Sequence, residues 1–225
     1  PIARVTAKIA VGMTLDEIPV AGGTADIEPR LDYIVAKFPR FPFDKFTTAS
    51  NLLGTQMKAT GEVMGIGSNL EECFLKSVRS LEIGVCHFHL AKFDRMSEGE
   101  LFDYIKDYRD DNIYAICQLL RMGVSIEKLH EVTKITELFL ESFQKIVDME
   151  KTLSENVGSN EVLLAAKKMG FSDKFIARLW GTKELSVYSQ RKAAGITPVF
   201  RMVDTMHTGK YIAYLYSSYT GENDS

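Results

Sequence analysis

The sequence has few cysteines and no long apolar run, and both absences limit what the protein can be. Cys73, Cys86 and Cys117 lie far apart, so they outline neither a disulfide framework nor a CxxC metal knuckle. We expect three buried thiols in a reducing compartment. No apolar stretch reaches the roughly 18 to 20 residues that cross a bilayer, and no signal pattern opens the chain. A soluble, cytoplasmic protein with no membrane partner is therefore predicted.

The sequence also lacks an excess of charge of either sign. Its 27 basic and 30 acidic residues give a net charge of −3 with no long run of one sign, which argues against a broad basic face for nucleic acid. A length of 225 residues allows one large domain or two small ones. Because a helical pattern is already running at Pro1 with no methionine before it, we interpret the sequence as a piece of a longer protein.

The pattern of the chain changes near residue 82, which we take as a domain boundary. Residues 1–82 are mixed in character. They predict a helix that ends at a glycine cap, Gly12, and a short capped turn at Thr14–Glu17. A strand is predicted over Leu31–Phe38, with Pro39 expected to stop it.

Residues 83–225 repeat one pattern: a serine or threonine start, about ten periodic residues and a glycine stop. The predicted stops are Gly123, Gly170, Gly181 and Gly195. The longest predicted helix is TELFLESFQKIVDMEKTL, which places Phe139, Phe143, Ile146 and Val147 on one stripe. Short extended pieces at PVFRMVD and YIAYLYSSY close the region. The predicted fold class is mainly α, with an α/β piece followed by an all-helical domain.

The stretch TQMKATGEVMGIG, Thr55–Gly67, is the first candidate for chemistry. A Walker loop needs a lysine directly after its last glycine, whereas Lys58 precedes these glycines, and the dinucleotide pattern lacks its third glycine. A structural interpretation fits better: Ser68 and Glu71 have capping-box spacing before an amphipathic helix. Gly65 and Gly67 are then expected at the turn from an extended segment into that helix.

The second candidate is the group Cys86, His87 and His89. In a strand, alternation would place both histidines on one side, but a catalytic zinc site needs at least three protein ligands. No H-E-x-x-H motif supplies the rest, and His130 and His207 are isolated. We therefore predict no metal site and, without a G-x-S-x-G motif, no nucleophile. Two further groups are interpreted structurally, with Trp180 in the core and a solvated charged face at Glu98, Asp103, Lys106 and Asp107.

Seven segments together give a family resemblance: PIARVTAKIAVGMTLDEIP, EPRLDYIVAKFPRF, TQMKATGEVMGIG, MEKTL, MGFSDKFIA, PVFRMVDT and YLYSSY. In this order and spacing they resemble the large subunit of glutamine-dependent carbamoyl phosphate synthases. The resemblance extends over essentially the whole chain. It implies that residues 1–82 are the C-terminal part of the carboxyphosphate half, which has an ATP-grasp fold, and that residues 83–225 are a helical oligomerisation domain.

The resemblance also implies a function for the parent protein. That protein would be an ATP-dependent carbon–nitrogen ligase that makes carbamoyl phosphate from bicarbonate, glutamine-derived ammonia and two ATP, for arginine or pyrimidine biosynthesis. Its partner would be a small glutaminase subunit, and its cofactors ATP and Mg (or Mn) would bind segments before Pro1. We therefore expect no catalytic, cofactor-binding or metal-binding residue here, and no catalytic role for Lys58 or Glu62. The alternative is a stand-alone helical interaction module with no catalytic parent.

The helix after Ser97 is the predicted site of self-association. In SEGELFDYIKDYRDDNIYAI the apolar positions form an arc wider than the single stripe of a surface helix. Part of that arc is expected to be uncovered in a monomer, and uncovered apolar patches mark interfaces. Leu101, Phe102 and Ile105 are the candidate interface residues. The competing interpretation places them in the core of the domain.

Overall fold

The computed structural model describes residues 2–28, 30–205 and 211–224. Within these residues helices predominate and the strands are short, which confirms the mainly α class. The α-helices are α1 (Ile2–Ala10), α2 (Leu70–Ser80), α3 (Glu98–Ile105), α4 (Asn112–Arg121), α5 (Ile126–Thr133), α6 (Glu137–Glu155), α7 (Asn160–Lys168), α8 (Asp173–Leu179) and α9 (Glu184–Ala193). The strands are β1 (Pro19–Val20), β2 (Gly23–Thr24), β3 (Ile34–Arg40), β4 (Gly61–Gly67), β5 (Val199–Met202) and β6 (Leu215–Ser218).

The strands pair as antiparallel hairpins, β1 with β2, β3 with β4 and β5 with β6. The predicted strand at Leu31–Phe38 exists, but it begins at Ile34 and runs through Pro39 to Arg40, so both predicted ends were wrong. Pro39 lies opposite Glu62 in the ladder. A proline is tolerated there because each strand of a two-stranded sheet has a free edge, where a missing N–H breaks no ladder bond.

The hydrophobic core lies mainly among α2, α4, α6 and α8 and is continuous from Ala36 to Ile196. The side chains of Cys73, Leu75 and Val78 on α2 are fully buried in it. Because α2 precedes residue 82 and packs on α6, the packing does not divide at that residue. The division into residues 1–82 and 83–225 therefore stays a prediction from sequence pattern and resemblance.

Most of the helix starts and stops that we predicted from the sequence are confirmed. Ser97 caps α3 in a capping box with Glu100, and the glycine stops have the positive φ values of left-handed C-terminal residues. The capping box predicted at Ser68 and Glu71 was wrong by one residue. Asn69 caps α2, and its side chain accepts a hydrogen bond of 2.8 Å from the backbone N–H of Glu72.

The C-terminal hairpin β5–β6 returns to the first part of the chain. Val203 and Tyr216 form a small second core with Tyr33, and Ile66 of β4 packs against it. Arg201 pairs with Asp32 at the edge of this contact. The two extended pieces predicted near the end of the chain are confirmed as strands, whereas their docking on the β3–β4 hairpin was not predicted. Among the described residues, no helix is long and apolar enough to span a membrane.

Candidate functional site

The glycine-rich stretch is a strand that packs closely against a helix. A Cβ atom on Gly65 would overlap the carbonyl oxygen of Cys73 and lie 2.5 Å from the Ser77 hydroxyl. On Gly67 it would lie 2.7 Å from the Glu72 carboxylate. The glycines therefore allow α2 to approach β4. The predicted passage from an extended segment into an amphipathic helix is confirmed, but both glycines lie within β4, and the turn itself is at Ser68 and Asn69.

The charged side chains of the same stretch, Lys58 and Glu62, already contact other groups of the chain. The Lys58 ammonium donates hydrogen bonds to the backbone carbonyls of Ser50 and Leu52. Glu62 forms an exposed ion pair of 2.7 Å with Lys37 on the neighbouring strand. The backbone of β4 pairs with β3 along its length. This arrangement does not fit a phosphate-binding loop, because such a loop offers several free N–H groups to an anion.

The group Cys86, His87 and His89 does not lie in a strand, so the predicted placement of both histidines on one side was wrong. The chain bends here, and the two rings go to different partners. His87 is only 2% exposed, and its Nε2 atom lies 2.8 Å from Glu150 Oε1. The Nε2 atom of His89 lies 2.8 Å from Asp94 Oδ1 nearer the surface.

His87 is part of a buried network between α4 and α6. Arg121 donates two hydrogen bonds of 2.7 Å to the Glu150 carboxylate, and the His87 ring stacks on Phe175 with centroids 3.6 Å apart. Burial lowers the pKa of His87, and the hydrogen bond to Glu150 only partly opposes this shift. The neutral imidazole therefore donates from Nε2 to Glu150, which is a structural role.

The remaining metal-type and nucleophilic residues have ordinary structural environments. Burial raises the pKa of the Cys73 and Cys117 thiols to about 12, so neither is a thiolate near neutral pH. The predicted burial is thus confirmed for these two, whereas Cys86 is only half-buried. His130 Nδ1 lies 2.7 Å from the Ile135 carbonyl oxygen, and His207 lies outside the described residues. Across residues 2–28, 30–205 and 211–224, no three histidine, cysteine or acidic side chains are placed to hold a metal ion.

Two structural interpretations from the sequence are confirmed. Trp180 lies in the core, where its indole N–H donates a hydrogen bond of 2.8 Å to the Leu153 carbonyl. The charged face is exposed at all four of its positions, Glu98, Asp103, Lys106 and Asp107.

Helix α3, the predicted interface helix, buries two of the three residues that we expected at its surface. Leu101 is 0% exposed and Ile105 is 4% exposed, so both belong to the core of this chain. Phe102 is half-buried, and the Lys128 ammonium lies 4.5 Å from the centre of its ring. Beyond the end of α3, Tyr108 is 73% exposed. A contact through Leu101 or Ile105 would require the core to open, and of the three predicted residues only Phe102 is accessible.

One structural residue was missed by sequence reasoning. Glu72 is 1% exposed, and its carboxylate accepts hydrogen bonds from Ser218 on β6 (3.1 Å) and from the Ser68 N–H (2.8 Å). It also pairs with Lys76 one helical turn away at 2.8 Å. The i, i+4 spacing from Glu72 to Lys76 was visible in the sequence, but a partner 146 positions away was not.

A comparison with protein families gives one match that covers more than half of the chain. The family model described as carbamoyl-phosphate synthetase large chain, oligomerisation domain, matches residues 62–195. The chain belongs to this family. The oligomerisation-domain match begins within β4 and ends at Gly195, directly after α9, so it includes the continuous core from α2 onward. The hairpins β1–β2 and β5–β6 and the strand β3 lie outside it.

Proposed function

We propose that the protein is a scaffold and self-association segment of the large chain of a carbamoyl-phosphate synthase, a carbon–nitrogen ligase. The observation that carries this proposal is the oligomerisation-domain match over residues 62–195. The structure supports the scaffold role, because deeply buried ionisable groups are paired within the fold. His87 with Glu150 and Glu72 with Lys76 are two such pairs.

The finer reaction is also a proposal. The parent would make carbamoyl phosphate from bicarbonate, glutamine-derived ammonia and two ATP, for arginine or pyrimidine biosynthesis in the cytoplasm, with a small glutaminase subunit as partner. Residues 1–82 would derive from its ATP-grasp half. ATP and Mg (or Mn) would bind elsewhere in the parent. Two observations support this view: the Lys58 ammonium already donates a hydrogen bond to a backbone carbonyl, and Gly65 and Gly67 face α2. Purified chain titrated with Mg-ATP in a calorimeter should give no saturable micromolar binding, and such binding would contradict this part.

Self-association needs an accessible surface, and α3 supplies a candidate at Phe102. Glu98, at the start of the same helix, is linked to Lys128 by an exposed ion pair of 2.6 Å. An apolar ring beside a charge pair is typical of the rim of an interface. In a symmetric dimer the same helix would lie on both sides of a two-fold axis, so one substitution changes the contact twice.

Sedimentation of the purified chain tests this proposal. We expect a dimer or larger assembly at micromolar concentration, and Phe102→Glu should shift it towards monomer while the circular dichroism spectrum is unchanged. Asp103→Asn, at the exposed neighbouring position, is the matched control and should leave the assembly intact. A chain that stays monomeric throughout would contradict self-association. An assembly that survives Phe102→Glu would place the interface elsewhere.

The alternative function is a stand-alone interaction module, which can be distinguished from a segment of a ligase. The family match favours a parent enzyme, because it is to a domain of a large chain. The open reading frame decides between the two: ATP-grasp sequence on both sides of this segment is expected for the ligase, and its absence would favour the module.

A further inference from the structure

A cavity of about 220 Å³ lies where α2, the start of α8 and the end of the C-terminal hairpin meet. Its lining includes Arg79 on α2, residues 170–173, and Ser217 and Tyr219 at the end of the hairpin. Polar and apolar groups share the walls, and the space is partly open to solvent. Engineered apolar cavities of about 150 Å³ bind benzene, so this cavity has room for a small organic molecule.

Most of the charged side chains in the lining are paired within the fold. The Lys76 ammonium lies 2.8 Å from the Glu72 carboxylate and also donates hydrogen bonds to two backbone carbonyls. Lys167 pairs with one oxygen of Asp173 at 2.8 Å, and Arg191 pairs with the other at 2.7 Å. These two carboxylates are therefore already shared among three cations.

Arg79 has no such partner. Its Nη1 atom donates a hydrogen bond of 2.7 Å to the carbonyl oxygen of Gly170, and no carboxylate lies within 4 Å of it among the described residues. The Nε and Nη2 atoms make no hydrogen bond with a described residue and keep accessible surface. Elsewhere in the chain, Arg121 uses these same two atoms to hold both oxygens of Glu150. The corresponding edge of Arg79 is therefore free to hold a carboxylate.

The positive charges around the cavity exceed the negative charges by one. The cations are Lys76, Arg79, Lys167 and Arg191, and the carboxylates are Glu72, Asp173 and Glu184. Burial lowers the pKa of Arg79, and the neighbouring Cys86, Glu72 and Tyr219 oppose this shift only in part. Glu184 is exposed at the start of α9 and is not among the groups that act on this pKa. The excess positive charge therefore lies at Arg79, where it favours an anion.

Tyr219 supplies a second hydrogen-bond donor. The Lys167 ammonium lies 4.9 Å from the centre of the Tyr219 ring, while the hydroxyl makes no hydrogen bond with a described residue and keeps accessible surface. Burial raises the pKa of Tyr219, so the hydroxyl keeps its proton and can donate it to an acceptor. The charge of Arg79 acts on the same hydroxyl, which places the two groups near each other.

We propose that this cavity binds a small organic carboxylate, which pairs with the Arg79 guanidinium and accepts a hydrogen bond from the Tyr219 hydroxyl. A planar guanidinium matches the two oxygens of a carboxylate with two parallel hydrogen bonds. A phosphate dianion fits less well, because it brings two negative charges to a site that has one positive charge in excess. The site is separate from the self-association surface on α3, so the two proposals stand or fall independently.

A nuclear magnetic resonance titration of the whole, isotopically labelled chain tests the class of ligand. The probes are glycolate, its neutral analogue glycolamide, and inorganic phosphate, all at one ionic strength. Glycolate should bind saturably at millimolar concentration and shift the amide signals of Gly170 and Tyr219. Because hydrogen bonds to charged groups are stronger, glycolamide should bind about tenfold more weakly or less, and phosphate should also bind more weakly than glycolate. Equal affinities for glycolate and glycolamide, tighter binding of phosphate, or no saturable binding of glycolate would overturn the proposal.

Two variants of Arg79 test the location. Arg79→Gln should abolish glycolate binding and leave the circular dichroism spectrum unchanged, because the guanidinium has no carboxylate partner to lose. Arg178→Gln, at an exposed position on α8, is the matched control and should leave the affinity unchanged. Arg79→Lys keeps the charge without the bidentate edge, so it should weaken glycolate binding by about tenfold, and it serves as the test if the glutamine variant does not fold. Unchanged glycolate affinity in either folded Arg79 variant would remove the carboxylate site from this cavity.

Discussion

Arg121 on α4 and Glu150 on α6 are joined by two hydrogen bonds, each 2.7 Å long. The same arginine donates to the backbone carbonyl of Phe88, and the same carboxylate lies 2.8 Å from His87. Two helices and the bend between α2 and α3 therefore meet at one ion pair. Because the pair is largely buried, its partners depend on each other more than an exposed pair would.

Replacement of Glu150 by glutamine should destabilise the chain strongly. The change leaves the Arg121 guanidinium without its carboxylate in a buried position, and removal of one partner from such a pair costs about 3 kcal/mol. Urea unfolding followed by circular dichroism measures the free energy. Glu155→Gln on the same helix is the control, because its ion pair with Lys151 is exposed and 3.9 Å long, and it should behave as the unchanged chain. Equal stability of the two variants would contradict a structural role for the buried pair.

The stability of the chain should fall as the pH is lowered below the ordinary histidine pKa. The ordinary pKa of the His87 imidazole is 6.5, and burial lowers it in the folded protein. Between these two values the unfolded state binds more protons. The stabilisation is therefore complete above the ordinary pKa and is lost as the pH falls towards the folded value.

Urea unfolding at several pH values from 5 to 8 measures this dependence. His87→Phe can keep the stack on Phe175 but has no titrating ring, so its stability curve should be flatter over that range. His89→Asn, a nearby position that lies closer to the surface, should retain the slope. If the slope is the same in the unchanged chain and in His87→Phe, His87 is not its source.

Gly65→Ala should be destabilising, whereas Gly61→Ala should not. Both glycines lie in β4, but an added methyl at Gly65 would meet the backbone of α2, and at Gly61 nothing lies within 4 Å. Overpacking of this kind costs about 1–3 kcal/mol. Thermal melts of the two variants side by side check the difference. Similar melting temperatures would show that α2 can move away from the strand without cost.

Leu101→Ala should lower stability by about 3 kcal/mol, as large-to-small core substitutions do, without a specific effect on assembly. Leu101 is fully buried in the core of the chain, although its spacing suggested an interface. Chemical unfolding gives the stability, and sedimentation under native conditions gives the assembly state. A folded, stable Leu101→Ala monomer from an otherwise dimeric chain would restore Leu101 to the interface.

A chain that begins at Ile83 should lose cooperative unfolding. The sequence pattern predicts that residues 83–225 form a separate helical domain, but that truncation removes α2 with the buried Cys73, Leu75 and Val78. A chain that begins at Arg30 keeps α2 together with the β3–β4 hairpin and should unfold cooperatively. Calorimetric melts compare the two. A sharp transition in the shorter chain would show that the core can close without α2.

Several features of the fold were readable from the sequence because they depend on residues three or four positions apart. Ser97 and Glu100 predicted the start of α3, and the glycines after α4, α7, α8 and α9 predicted where those helices end. Hydrogen bonds within one turn and left-handed backbone at glycine are local properties. The strand at β3 was recognised from its composition, but its ends were misplaced because its length depends on the partner strand.

Only the tertiary structure decided which side of each element is covered and which charges meet. The arc on α3 was visible in the sequence, yet packing against neighbouring helices buries Leu101 and Ile105 and leaves Phe102 accessible. His87 and Glu150 are 63 positions apart, and their contact follows from the docking of helices. A cavity lined by Phe43, Leu81 and Ile113 likewise needs three distant segments at once. Such contacts depend on shape and burial summed over the whole core, whereas the signals within a sequence report mainly on its nearest turns.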